Sequence, residues 1–178
     1  LTAQVATLST ASVVALQDAD LAALSTGQMR AFSAAQLQAF STGDIALFST
    51  TQASSLTGVQ VGALTTNQVQ ALTTSQVTNL TPDQVNSFTT EQIAKLENAD
   101  VAVLQASQFA TVTADQVQAF TTSQISQLST SVVAGLTDTQ LGALTTAQLS
   151  NMTTTQLDAM SAAKITALSS AQVGALTT

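Results

Sequence analysis

The sequence repeats every eight residues without an insertion or deletion, and this period constrains the fold more than any other feature. Every residue whose number is a multiple of eight is apolar, from Leu8 to Leu176, in all 22 octads. A second large apolar residue stands three positions earlier in every octad but one, where it is Ala53. Position four is Gln in 16 octads, and position one is Ser or Thr in 18. Such self-similarity predicts one repeat array over residues 1–178 rather than separate domains.

An octad cannot be part of one continuous α-helix. At about 100° per residue, an apolar stripe with this period would drift around the helix by roughly 80° in every repeat. A continuous β-strand is also disfavoured, because positions five and eight would face opposite sides of it. Each octad must therefore contain a break in its regular structure.

The start of a helix can be placed within the octad. Ser or Thr at position one with Gln at position four is the pattern of a capping box, in which each side chain accepts from the other residue's backbone N–H. In this register the single proline, Pro82, falls at the first helical position, which tolerates it. Eight of the ten acidic residues fall at positions two to four, near the positive end of the helix dipole. The pattern predicts one short helix per octad.

The predicted fold is all-α: an elongated solenoid of 22 single-helix octapeptide repeats, with positions five and eight in its core. Burying two large apolar side chains contributes about 3–6 kcal/mol, whereas ordering eight residues costs about 8–16 kcal/mol. Contacts between repeats must supply the difference, so we expect stability to be cooperative along the array. A β-solenoid is the alternative fold, since Thr and Val favour strands. The number of octads in one turn of the solenoid does not follow from the sequence.

Composition excludes several classes of function. Three basic and ten acidic residues give a net charge of −7, which disfavours nucleic-acid binding because that affinity depends on basic residues. The chain has no Cys and no His, which excludes zinc fingers, iron–sulfur sites and a Ser-His-Asp triad. No apolar run approaches the 18 residues of a membrane span. We therefore expect no enzymatic activity, no catalytic, cofactor-binding or metal-binding residues, and no cofactor.

Carboxylates and sequons are the first candidates for a binding or modification site. Asp18, Asp20 and Asp100 could hold a metal ion, but their spacing fits no EF-hand loop. Acidic residues that stabilise the first turn of a helix are the favoured interpretation. Asn79 and Asn151 stand in N-x-[ST] sequons. In both sequons the Thr is an expected N-cap, so a chance match is favoured.

Three further sets of residues have a structural and a functional interpretation. The regular Ser and Thr residues of positions one and two could form a hydroxyl array for ice or glycan, although position one is used by the helix caps. The cations stand too far apart in the sequence for an anion site: Arg30, Lys95 and Lys164. Three successive position-eight sites are aromatic: Phe32, Phe40 and Phe48. They predict a segment of the core that is filled by larger side chains, and a small ligand pocket is the alternative.

Two stretches of the chain carry a resemblance to known repeats. The segments LTTNQVQALTTSQVTNL (64–80) and FTTSQISQL (120–128) resemble the short LTTxQVxAL-type repeat tracts of large bacterial secreted and cell-surface proteins, and the likeness covers the whole chain. The resemblance implies an extracellular or cell-surface location and a structural or adhesive role. It transfers no active-site residue.

These observations together predict a structural protein, the shaft, spacer or filament-forming segment of an extracellular bacterial assembly. The alternative is a binding module that uses a regular Thr/Gln face for glycan, ice or host-surface adhesion. The first and last octads have the same apolar pair as the interior ones, and Thr177 and Thr178 begin another unit. We therefore expect either continuation in a longer array or end-to-end self-association.

Overall fold

The computed structural model describes residues 2–176 and places one short α-helix in every octad, with no strand in that range. Thr177 and Thr178, the predicted start of a further unit, lie outside the described residues. The expected all-α solenoid is confirmed, and the β-solenoid alternative is not formed. The helices are α1 Thr2–Ala6, α2 Thr10–Val14, α3 Asp18–Ala23, α4 Thr26–Met29, α5 Ala34–Ala39, α6 Thr42–Leu47, α7 Thr50–Ser55, α8 Gly58–Gly62, α9 Thr66–Gln70, α10 Thr74–Thr78, α11 Pro82–Asn86, α12 Thr90–Lys95, α13 Asn98–Ala102, α14 Ala106–Phe109, α15 Ala114–Ala119, α16 Thr122–Gln127, α17 Thr130–Gly135, α18 Asp138–Ala143, α19 Thr146–Ser150, α20 Thr154–Asp158, α21 Ala162–Thr166 and α22 Ser170–Ala175.

Each helix begins where the capping box places its start. In octad 11, Thr81 is the N-cap, and its Oγ1 accepts from the Gln84 N–H at 3.2 Å. The Gln84 Oε1 accepts in return from the Thr81 N–H at 2.8 Å, and Pro82 is the first helical residue. The same reciprocal pair recurs in most octads, so the predicted register is confirmed.

Several helices, such as α5, end where the chain becomes extended before the next cap. In octad 5 the Phe40 N–H donates to the Leu37 carbonyl, which closes a final turn, and Phe40 itself is extended with φ −64° and ψ 141°. Ser41, the next N-cap, is extended as well. None of the described helices is long and apolar enough to cross a membrane.

The helices wind into a solenoid with between three and four octads per turn. The extensive contacts between helices join elements three apart in the chain, such as α9 with α12 and α12 with α15. The side-chain hydrogen bonds of Gln at position four, by contrast, join octads four apart, as between Gln76 of octad 10 and Phe48 of octad 6. An octad therefore lies between two neighbours of the adjacent coil, and interior octads have equivalent surroundings.

The core is a single cluster formed by positions five and eight, joined by Val132 at position four of octad 17. Position five is the more deeply buried of the two: Val69, Val77 and Val117 are 0% exposed. The accessible surface of 8177 Å² is close to the roughly 8,100 Å² expected for a compact protein of this mass. The coils are consequently packed tightly around a filled axis.

The run of aromatic residues at position eight lies in this core. The rings of Phe32 and Phe40 pack edge to face with centroids 5.1 Å apart, and those of Phe40 and Phe48 do the same at 5.3 Å. All three side chains are at most 4% exposed. The fold therefore supports the structural interpretation, in which these rings fill a segment of the core.

Adjacent coils approach each other closely where octad 8 faces octad 11. A Cβ on Gly62 would stand 2.8 Å from the Ser87 carbonyl oxygen, and one on Gly58 would stand 2.3 Å from the Ser87 Oγ. A side-chain hydroxyl can rotate away, but a backbone carbonyl cannot move without shifting its helix. Gly62 is thus needed for the spacing between these two coils.

Substituting Gly62 by Ala is expected to lower the free energy of unfolding by about 1–3 kcal/mol, because the new methyl group overpacks the junction. Gly142 occupies the same octad position, and a Cβ on it would have no neighbour within 4 Å. Gly142→Ala should therefore raise stability by about 0.5–1 kcal/mol through helix propensity. Urea denaturation followed by circular dichroism measures both changes. Effects of the same sign would contradict the coil spacing described above.

Candidate functional site: glutamine bridges between coils

The Gln side chain at position four joins two coils of the solenoid. In octad 10 the Gln76 Oε1 accepts from the Thr73 N–H at 2.8 Å, which is the capping-box bond. Its Nε2 donates to the Ile45 carbonyl at 2.8 Å and to the Phe48 carbonyl at 2.7 Å, at the end of the helix four octads earlier. One buried amide therefore satisfies the start of one helix and the end of another. We call this arrangement a glutamine bridge.

The glutamine bridge is the recurrent polar feature of the array. Fourteen octads that have Gln at position four and a partner four octads earlier all form it: Gln36, Gln52, Gln60, Gln68, Gln76, Gln84, Gln92, Gln108, Gln116, Gln124, Gln140, Gln148, Gln156 and Gln172. Each of these side chains is buried. A buried carbonyl without a hydrogen-bond donor destabilises the fold. The bridges supply that donor, so the carbonyl groups at the helix ends can be buried inside the solenoid.

The capping half of this role is predicted from the sequence, but the bridge between coils is not. A signal for it is present in the composition of position four. A capping box accepts Glu as readily as Gln, yet Glu never occurs at position four of this chain. An ionised Glu accepts from the N-cap but has no hydrogen to donate, whereas the amide of Gln does both.

Four octads that have a partner four repeats earlier carry another residue in place of Gln: Asp44, Asp100, Val132 and Lys164. The last three belong to octads 13, 17 and 21, which form one series of contacts with octad 9. Lys164 replaces the bridge with a single bond from its Nζ to the Ala134 carbonyl of octad 17. Octad 13 is therefore bridged through position four neither to octad 9 nor to octad 17.

Asp100 of octad 13 is the most unusual polar residue of the core. Its side chain is 2% exposed, and its Oδ2 has no hydrogen-bond partner. Burial, and to a smaller extent the negative charge of Glu97, raise the pKa of this carboxyl from 3.8 to about 6. Helix α13 is also the one helix among α2–α22 that has neither a side-chain cap bond nor a capping box.

The acidic residues considered as metal ligands do not form a metal site with one another. Asp20 accepts from the Gln17 N–H at 3.1 Å in a capping box, and both Asp18 and Asp20 are exposed. Asp100 is buried in octad 13. Within residues 2–176, no group of three or more His, Cys, Asp or Glu side chains could hold a metal ion.

The other candidate residues mostly serve the ends of helices. Asn79 and Asn151 donate through Nδ2 to the backbone carbonyls of Ser75 and Ala147 within their own octads, at 2.8 Å in both cases. Arg30 donates from Nε to a backbone carbonyl of octad 7 at 2.9 Å. The sequon amides and two of the three cations are thus engaged by the backbone.

The proposed Thr/Gln face is divided between the inside and the outside of the solenoid. The Gln residues of position four are buried and bonded, as described above, so they present no regular surface array. The position-one hydroxyls of octads such as 9 and 10 accept from N3 backbone groups, Thr65 from Gln68 and Thr73 from Gln76, at 3.2 Å in both. What remains at the surface is the set of hydroxyls at positions two and three.

An open polar groove lies beside the start of octad 13. It is lined by Gln70, Lys95, Glu97, Asn98 and Ser123, among others. Two hydrogen bonds cross it, from the Gln70 Nε2 to the Glu97 Oε1 and from the Asn98 Nδ2 to the Ser123 Oγ, each at 2.7 Å. Four of these polar side chains thus pair with one another across adjacent coils.

Comparison with known proteins identifies the repeat. A family model described as the ALTTAQ repeat matches residues 13–50, 22–58, 39–74, 59–90 and 93–130. Together the matches cover more than half of the chain, and each spans four to five octads. A search of the curated proteins found no match.

Proposed function

Because this chain belongs to the ALTTAQ repeat family, we propose that it is a non-catalytic structural array, the shaft, spacer or filament-forming segment of an extracellular or cell-surface bacterial assembly. Membership in a repeat family supports a structural role for the chain. The glutamine bridge is the observation that supports the proposal, because the same bond joins octads 1 and 5 and octads 18 and 22. An array built in this way can be extended by further octads without a new kind of contact.

The two end coils support the joining of further octads. Position five is buried in octads 1–19, but Leu157 and Ile165 are half-buried and Val173 is 40% exposed. At the other end, the position-eight residues Leu8, Leu16 and Leu24 are half-buried, whereas all later ones up to octad 21 are buried. Each end coil therefore leaves open the half of the interface that an adjacent coil covers elsewhere.

The two open faces are complementary. The first coil presents amide donors such as Gln28, whose Nε2 donates no hydrogen bond within the described residues. The last coil presents helix-end carbonyls of the kind that receive a Gln amide in the interior. We propose that octads of a longer chain or of a second copy join these faces head to tail, which is the geometry of an open filament.

Self-association of the 178-residue chain tests this proposal. Sedimentation across a wide range of protein concentration should show growth into linear assemblies, and Val173→Lys should suppress it by placing a charge at the junction. The matched control is Val59→Lys, since Val59 is 84% exposed on an interior octad and the change in charge is the same. A monomer at all concentrations, or equal effects of the two variants, would contradict end-to-end joining.

A further inference from the structure

Octad 13 lacks the position-four bonds that join most octads to the adjacent coils. Its helix has no N-cap bond, and position four bridges it to neither octad 9 nor octad 17, since Asp100 and Val132 occupy the places of Gln. The remaining side-chain bonds at its start, Gln70 to Glu97 and Asn98 to Ser123, lie at the surface.

The partner that a Gln would bond from octad 13 is present and unused. In adjacent octads the Leu64 carbonyl accepts from the Gln92 Nε2 at 2.6 Å, and the Leu80 carbonyl accepts from the Gln108 Nε2 at 2.8 Å. The equivalent carbonyl oxygen, that of Leu72, receives no donor from the described residues. An ionised carboxylate cannot supply the missing hydrogen, whereas a carboxylic acid carries one O–H donor.

We propose that Asp100 is a proton-operated clasp between octads 9 and 13. When protonated, Asp100 takes the place of the bridging Gln and donates its O–H to the Leu72 carbonyl. When ionised, it loses this bond and leaves a negative charge buried beside a carbonyl oxygen, which favours separation of the two octads. The Asp100 clasp thus makes one junction of the solenoid sensitive to pH.

The surroundings of Asp100 contain few charges that could mask its titration. Helices α10 and α16 pack against α13, and neither they nor α9 and α17 contain a titratable side chain. The nearest titratable groups along the sequence are Glu97 in the same octad and Glu91 and Lys95 in α12. Of these, Glu97 is the one that acts on Asp100, and its negative charge opposes ionisation.

The direction of the pH effect follows from the raised pKa of Asp100. This pKa is about 6 in the folded chain, against an ordinary value of 3.8. Between these values the folded state binds more protons than the unfolded state, so stability falls as the pH rises. The contribution of the clasp is fully present below about pH 3.8 and is lost as the pH rises through about 6.

Amide hydrogen exchange tests the Asp100 clasp locally. We expect protection factors at the start of octad 13, corrected for intrinsic exchange, to be about thirty-fold higher at about pH 4.5 than at about pH 7.5 in the wild type. Asp100→Asn and Asp100→Gln should abolish this difference, and Asp100→Gln should give high protection at both pH values. Asp44→Asn is the matched control, since Asp44 holds the same octad position but accepts from the Ser41 N–H in a capping box.

Two outcomes would overturn the clasp. One is protection of octad 13 that does not change with pH in the wild type. The other is a pH difference that persists in Asp100→Asn, since that would assign the titration to Glu97 or to another group. A variant Glu97→Gln should keep the transition but shift its midpoint to lower pH, because the neighbouring negative charge is removed.

Discussion

Replacing Leu72 with Asp should lower the free energy of unfolding by about 4 kcal/mol or more, because it buries a carboxylate without a partner. Leu72 belongs to the continuous core cluster and stands at the end of octad 9. Urea denaturation followed by far-ultraviolet circular dichroism measures the loss, and a stability close to that of the wild type would show that position eight is not part of the core.

The matched control for this substitution is Gln118→Asp at the exposed position six of octad 15. Its side chain makes no hydrogen bond within the described residues, so a change within about 0.5 kcal/mol is expected. The octad pattern alone suggests Gln70, also at position six, as an equally tolerant site. Gln70 is unsuitable because its Nε2 donates to Glu97, and an Asp there would face a second carboxylate.

Replacing Gln76 with Met should lower the free energy of unfolding by about 2–5 kcal/mol, although the two side chains have similar size. The substitution leaves the Phe48 carbonyl and the Thr73 N–H without their side-chain partner, and each unpaired buried group costs about 1–3 kcal/mol. The Ile45 carbonyl loses less, because it also accepts from the Phe48 N–H. Urea denaturation measures this loss as well.

Gln118→Met is the control for the glutamine bridge. It makes the same chemical change at an exposed side chain without a hydrogen bond, and it should alter stability by no more than about 0.5 kcal/mol. If the two substitutions had equal effects, the bridge would contribute nothing beyond the packing of its side chain.

The sequence predicts the helix register well because that register is set by local interactions. Thr81, Pro82 and Gln84 lie within four residues of one another, and their backbone preferences place the start of α11 without reference to the rest of the chain. The core is predicted for a similar reason, since positions five and eight are apolar throughout. These are the features that each octad specifies by itself.

The arrangement of the coils could not be predicted, because it depends on groups that are far apart in the sequence. The Gln76 Nε2 meets carbonyls 28 and 31 residues earlier, and nothing in a single octad indicates that separation. The unusual burial of Asp100 does not follow from the sequence for the same reason. It holds the same octad position as the exposed Asp20 and the capping Asp44, but of the three it is the one that is buried and forms no capping box.

Side-chain amides of position four join octads four apart, and a nuclear Overhauser measurement on the Gln76 side chain tests this arrangement most directly. In a chain labelled with 15N at Gln, the Gln76 side-chain signal can be assigned by its loss in Gln76→Met. We expect contacts from its Hε2 protons to Ile45 and Phe48, 31 and 28 residues away. Contacts confined to octad 10 and its immediate neighbours in the chain would contradict the solenoid described here.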